Sequence, residues 1–125
     1  MDLQNILKLH LRWLEMKPDG VQAELMGANL RNKSLQGESL MMADLEGADL
    51  SGAILDNTDL SGSNLKNANF SGASLKNADV SYAIFDSTNF TNADLNGAYL
   101  IGSKMENANF NGANLNDAKI TANDL

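Results

Sequence analysis

At 125 residues the chain has room for one domain, and 43% apolar with 20% charged residues place it among globular chains, neither disordered nor membrane-spanning. Its net charge of −7 disfavours direct binding to nucleic acid or to an anionic lipid surface, leaving basic proteins, or protein sites that normally hold DNA, as partners. Without cysteine there is neither a disulfide framework nor a thiolate zinc site, which fits a reducing cytoplasm, where the protein is expected to reside.

The first element in the chain is an amphipathic helix. Residues 2 to 16 put Leu3, Ile6, Leu7, His10, Trp13 and Leu14 on one face; Asp2 caps the start, and Pro18, Asp19 and Gly20 end the element. No apolar run approaches the roughly 18 residues that cross a bilayer, and Lys8, His10 and Arg12 interrupt any signal-peptide core. Residues 1–20 are therefore read as a capping helix with its linker, the alternative being a free helix for a membrane surface or a partner. His10 is the single histidine and has no second ligand nearby, so it is read as part of the cap face rather than as a metal or catalytic residue.

From Leu25 to Leu125 every fifth residue is apolar, 21 positions in all, of which 14 are Leu and four are Phe (Phe70, Phe85, Phe90, Phe110). Two residues earlier a small side chain stands in 18 of the 21 cases, the exceptions being Lys33, Glu38 and Asn123, so the unit reads A(D/N)LXX. A period of five is no helix face, because successive Leu would fall about 140° apart at about 100° per residue. It is no long strand either, because an odd period throws successive Leu onto opposite faces. A chain that turns once per pentapeptide satisfies it, with Ala and Leu both pointing inward and Gly, Asn and Ser crowding the position two after each Leu, where a tight turn wants them.

Phe70, Phe90 and Phe110 recur at 20 residues, as do Glu46, Lys66 and Asp86, which suggests four sides per coil, a stacked aromatic column and a column of alternating charge. Asn29, Asp49, Asn69, Asn89 and Asn109 share that spacing and could form a hydrogen-bonded structural ladder.

Over residues 21–125 this pattern resembles the pentapeptide-repeat family, in a short, cyanobacterial-type form. The resemblance implies an all-β fold, a right-handed quadrilateral parallel β-helix, here of about five coils behind the short N-terminal capping α-helix. It is specific for fold and says little of function, and it implies a bacterial source.

Lys33 and Glu38 stand inward on adjacent sides of the first coil, where Ala belongs; either they pair beneath the helix or both swing out to solvent. The chain reaches Leu125 still in register with Asn123 and Asp124 beside it, so a monomer is favoured, with an end-to-end homodimer through the C-terminal coil as the alternative.

Sorted by side, Glu24, Asp44, Glu46, Asp86, Glu106 and Asp124 share one acidic side with Lys66 and Lys104. Outward apolar residues, Met41, Met42, Tyr82, Ile84, Tyr99 and Ile101, gather near one edge, as a contact site or as ordinary scattered surface hydrophobes, with a gap at Ser61 and Gly62. No Ser or Thr has a base beside it, and acid pairs such as Asp44 with Glu46 or Asp56 with Asp59 read as solvated faces, so neither enzyme, cofactor nor metal chemistry is expected.

The reading is a non-catalytic interaction or scaffold protein with a protein partner of unknown identity. The alternative, implied by the resemblance, is a DNA mimic that modulates a type II topoisomerase such as gyrase. A duplex 25 Å long carries about 14 negative charges. The repeats hold 13 acids against 6 bases, about half that. Ice binding is excluded, because Thr58, Thr88, Thr91 and Thr121 form no column.

Overall fold

A computed structural model describes residues 1–120. Asp124 of the acidic side, and Asn123 and Leu125 at the end considered for an end-to-end dimer, lie outside the described residues.

The chain turns because each pentapeptide closes on itself. The Ala28 N–H donates to the Leu25 carbonyl (3.0 Å), and Gly27 between them has φ 65. That is a β-turn with a left-handed third residue, as in type II. Every residue two after an inward apolar side chain, from Gly27 to Asp117, has φ between 58 and 74. The Gly and Asn seen there in the sequence are the residues that tolerate this conformation best.

Four such turns make one coil of 20 residues. The Leu25 N–H donates to the Asp44 carbonyl (2.7 Å) and the Asp44 N–H to the Ala23 carbonyl (3.0 Å), so successive coils pair in parallel. The same offset of 20 runs from Glu24 with Asp44 to Tyr99 with Lys119. The result is a right-handed four-sided β-helix of five coils, 21–40, 41–60, 61–80, 81–100 and 101–120. At about 4.8 Å per coil the rod is roughly 25 Å long. Its faces follow the chain: face 1 centres on Leu25, Leu45, Leu65, Phe85 and Met105; face 2 on Leu30 to Phe110; face 3 on Leu35 to Leu115; face 4 on Leu40 to Ile120.

Inside, Ala and Leu columns are almost wholly buried through the first four coils. The expected aromatic column forms: Phe70 stacks on Phe90 and Phe90 on Phe110, each at 5.1 Å between ring centroids, with Phe85 edge-on to Phe90 at 5.3 Å. Where a hydroxyl replaces Ala it finds a carbonyl, as Thr58 donates to Leu35 O (2.7 Å) and Thr88 to Leu65 O (2.6 Å). Among the described residues no buried side-chain polar atom lacks a partner.

Two expectations about side chains are corrected, and the open choice at Lys33 and Glu38 is decided. No ion pair runs along Glu46, Lys66 and Asp86; the pairs among the described residues are Arg12–Asp19, Arg31–Asp49 and Lys76–Asp94. An exposed lysine gains little by leaving water for a neighbouring carboxylate. The Asn column builds no side-chain ladder between coils, because each Oδ1 accepts from the backbone N–H two residues on, as Asn69 does from Ser71 and Asn89 from Thr91, both at 2.9 Å. The nearest donor is local, and a short side chain takes it. Lys33 and Glu38 do not pair: Lys33 is exposed and Glu38 half-buried, while the turns beneath them close normally. A pair held beneath the cap would need further hydrogen bonds to offset its desolvation, and Lys33 stays in water instead.

The cap is α1, Leu3–Leu14, with the Asn5 N–H donating to Asp2 Oδ1 (3.1 Å). Its apolar face lies on the first coil. Leu7 and His10 are buried, and Leu3 and Ile6 pack against the same core. Gly20 lets the linker pass directly over the helix backbone, since a Cβ there would collide with Trp13 Cα and N. No helix among the described residues is long and apolar enough to cross a membrane.

His10 fastens this cap. The Ala23 N–H donates to His10 Nδ1 and His10 Nε2 lies on the Met41 carbonyl, both at 2.8 Å. A carbonyl only accepts, so the proton sits on Nε2, the Nδ1 lone pair faces Ala23, and the ring is neutral. Burial pushes its pKa below 6.5, the bond to Met41 O opposing that shift. Both nitrogens are engaged in joining α1 to the second coil and the first, and the ring stacks on Trp13 at 5.4 Å.

Candidate interaction edge

The corner between faces 4 and 1 carries Gln22, Met42, Gly62, Tyr82 and Gly102, one per coil. Elsewhere the left-handed corners are Gly, Asn, Asp or Ser. Here Met42 has φ 65 and Tyr82 φ 58. A bulky residue held left-handed costs about 1–2 kcal/mol. Both side chains remain largely open to solvent, Tyr82 at 69% exposed and Met42 at 48%.

Each bulky corner is followed, one coil on, by glycine. A Cβ on Gly62 would strike Met42 Sδ, and one on Gly102 would strike the Tyr82 ring. Met42 therefore lies over the glycine corner of the third coil and Tyr82 over that of the fifth. In the gap that the sequence leaves at Ser61 and Gly62, Met42 lies over Gly62. Beside the corner, Met41, Tyr99 and Ile101 are exposed and Ile84 is half-buried. Of the six outward apolar residues, Met41, Met42, Tyr82 and Ile101 stand at this corner, Ile84 on face 1 and Tyr99 on face 4.

Several main-chain groups at this edge are already used. The N–H groups of Met42, Gly62 and Tyr82 donate to the carbonyls of Ser61, Ser81 and Ile101, each at 2.9 Å. The Met42 carbonyl accepts from Gln22 Nε2 (2.6 Å) and that of Met41 from His10.

The repeat itself accounts for the scaffold that holds this edge. The pentapeptide-repeat family model matches residues 23–62, 43–81 and 83–121, with eight copies. The chain is a pentapeptide-repeat protein. Among solved structures it is similar to a pentapeptide-repeat protein (Rfr23) of the cyanobacterium Cyanothece 51142, with 30% identity over 80% of this chain and 61% of that one, TM-score 0.57. It is similar also to alr5209, a pentapeptide-repeat protein of Nostoc PCC 7120, with 27% identity over 90% of this chain and 73% of that one, TM-score 0.60. QnrB1, a plasmid-mediated fluoroquinolone resistance protein, shares the fold at 22% identity over 82% of this chain and 60% of that one, TM-score 0.52. The pentapeptide-repeat protein thus spans less than two thirds of the length of the Cyanothece structure. Among curated proteins none matches it.

Sequence reasoning missed how far the edge of this pentapeptide-repeat protein extends. At its N-terminal end Trp13, Leu14, Met16, Lys17 and Met42 line a shallow groove of about 450 Å³. Met16 is 91% exposed, and Val21, in the column of Met41 and Ile101, is exposed as well. The spacing of 20 could have found Val21. It could not have found the others, because where α1 lies on the coil is set by packing outside the repeat.

The acidic side is face 1. Glu24, Asp44, Glu46, Asp86 and Glu106 project there with Lys66 and Lys104, a net charge of −3 among the described residues. Asn64 Nδ2 donates to Asp44 (3.3 Å) and Glu46 (3.2 Å), and the Glu106 N–H to Asp86 (2.9 Å). Face 4, on the other flank of the apolar edge, carries Asp59 and Asp79, each accepting from the serine two residues on at 2.9 Å. Lys119 stands over the Tyr99 ring at 5.0 Å. Among the described residues no three His, Cys, Asp or Glu side chains gather as a metal site would need.

Proposed function

We propose that this protein is a non-catalytic, cytoplasmic interaction rod, monomeric by itself, that presents the apolar edge of Met41, Met42, Tyr82, Ile84, Tyr99 and Ile101 to another protein. The observation that carries this reading is the conformational cost at Met42 and Tyr82. Backbone strain kept at side chains that stay largely open to solvent favours a role in an outside contact.

The test is quantitative affinity capture from lysate of the source organism, with the wild type against a Tyr82→Ser, Tyr99→Ser, Ile101→Ser variant shown to be folded. A partner retained by the wild type and lost by the variant is the expected result. A partner retained equally by both removes the edge from the reading.

Mimicry of duplex DNA toward a topoisomerase is the competing reading, resting on the acidic side and the charge of −7. It predicts a response in a gyrase supercoiling assay that is abolished by reversing Asp44, Glu46 and Asp86 to lysine and unaffected by the edge variant. The half-density of charge along the rod weighs against it.

A further inference from the structure

We propose that the apolar edge receives an amphipathic α-helix of another protein, its apolar stripe on Met42 and Tyr82 and basic residues along both sides of that stripe. This rests on the reading of the edge as a contact site and adds the chemistry of what binds there.

Three observations select that partner. The first is the state of the backbone: with the Met42, Gly62 and Tyr82 N–H groups and the Met41 and Met42 carbonyls already bonded, an added strand finds no continuous row of free main-chain groups along this edge. Recognition falls mainly to side chains.

The second is spacing. Met42 and Tyr82 stand two coils apart, and each lies over the glycine that follows it. At about 4.8 Å per coil these ridges repeat every 9.6 Å or so. Residues i and i+7 of a helix are about 10.5 Å apart on one face, at about 1.5 Å per residue. Same-face residues of an extended chain fall at about 6.8 or 13.6 Å and miss the repeat. The groove of Trp13, Leu14 and Met16 continues the ridge past its first member, giving the helix a third apolar contact at the capped end.

The third is charge. The edge runs between face 1, with Glu24, Asp44, Glu46, Asp86 and Glu106 against Lys66 and Lys104, and face 4, with Asp59 and Asp79 against Lys119. Both flanks are net negative, so a helix with acidic flanks is repelled on either side and one with lysine or arginine is attracted.

The experiment uses the full chain and three synthetic 18-residue peptides without tryptophan: a helical Leu/Lys peptide with leucines at i, i+3, i+4 and i+7, the same composition scrambled, and a Leu/Glu counterpart. Trp13 is the single tryptophan of the chain and lines the groove, so its fluorescence reports occupancy directly. The expected result is saturable one-to-one binding of the Leu/Lys helix. The other two peptides should bind at least about tenfold more weakly, and the affinity should fall severalfold between low and physiological salt. In a Met42→Asn, Tyr82→Asn variant, which places at these corners the residue found at Asn32, Asn57 and Asn67, affinity should drop at least about tenfold with the fold intact.

Equal binding of the scrambled peptide, or unchanged binding by the variant, would mean attraction by charge alone and overturns the proposal. Failure of every peptide also overturns it. In that case a partner lost with the edge variant in the capture experiment would leave the contact reading standing with a different partner chemistry, and a capture indifferent to the variant would remove both.

Discussion

The first and fifth coils are built from the same pentapeptide, yet their interiors differ. Leu25, Leu30, Leu35 and Leu40 are between 0% and 2% exposed, while Met105, Phe110, Leu115 and Ile120 are only half-buried. The difference is α1. Leu7 and the neutral His10 lie against the first coil, so a row of leucines that coil geometry alone would leave open on one side is sealed. Stability in this rod is therefore a property of neighbours: a coil is as well buried as what is stacked on it.

Truncating the aromatic column tests this most strongly. Phe90 is fully buried between Phe70 and Phe110, so Phe90→Ala should cost about 4 kcal/mol in chemical denaturation. Phe110→Ala removes the same ring from a half-buried site and should cost about half as much or less. Equal losses would mean that burial in the fifth coil contributes as it does in the fourth, and the comparison would fail.

Next in size is the linker under the cap. At Gly20 an added Cβ meets backbone atoms of Trp13, which cannot step aside as a side-chain tip can. Gly20→Ala should cost about 3 kcal/mol, with α1 displaced from the coil. Hydrogen exchange should show the first-coil amides losing protection while those of the fourth keep theirs. Uniform loss along the rod would show that the cap does not act locally.

How much of this was legible in the sequence follows from what a period of five can encode. The inward columns, the stacking of Phe70, Phe90 and Phe110 and the grouping of Tyr82, Tyr99 and Ile101 on one edge are consequences of register, and register can be counted. Side-chain direction cannot. Asn69 could reach along its own coil or across to the next, and the local N–H of Ser71 decided it. Lys33 stood at an inward position and still reached water. The pairing of Met42 with Gly62 and Tyr82 with Gly102 was countable in principle, since both are 20 apart, but its meaning rests on the positive φ that the turn imposes.

A smaller effect distinguishes the capped end by pH. The folded pKa of His10 is lowered by burial, so the unfolded chain binds the proton more readily. The contribution of the neutral ring is complete above pH 6.5 and is lost as pH falls through the folded value. Denaturation at pH 7.5 and 5.5 should show the wild type weaker at the lower pH and a His10→Gln variant with most of that difference gone. Asp19, held low by Arg12, and Asp49, held low by Ser51, lose their contributions only below about 3.8 and so do not enter this window. A His10→Gln variant with the full wild-type pH dependence would remove the histidine as the fastening of the cap.

The last expected effect is of opposite sign. Tyr82 is 69% exposed in a left-handed corner, where asparagine stands at Asn32, Asn57, Asn67, Asn77, Asn92 and Asn107. Asparagine adopts that conformation at lower cost, and little buried area is lost with the ring. Tyr82→Asn should therefore raise stability by about 1 kcal/mol, read as a shift in the denaturation midpoint at constant slope. A buried residue could not behave this way, and neither could a surface residue chosen for the fold alone. A gain in stability joined to a loss of partner would mark Tyr82 as kept for contact. A loss of stability would instead show that its packing over Gly102 supports the fourth and fifth coils, and the edge would then differ from the other corners in structure rather than in use.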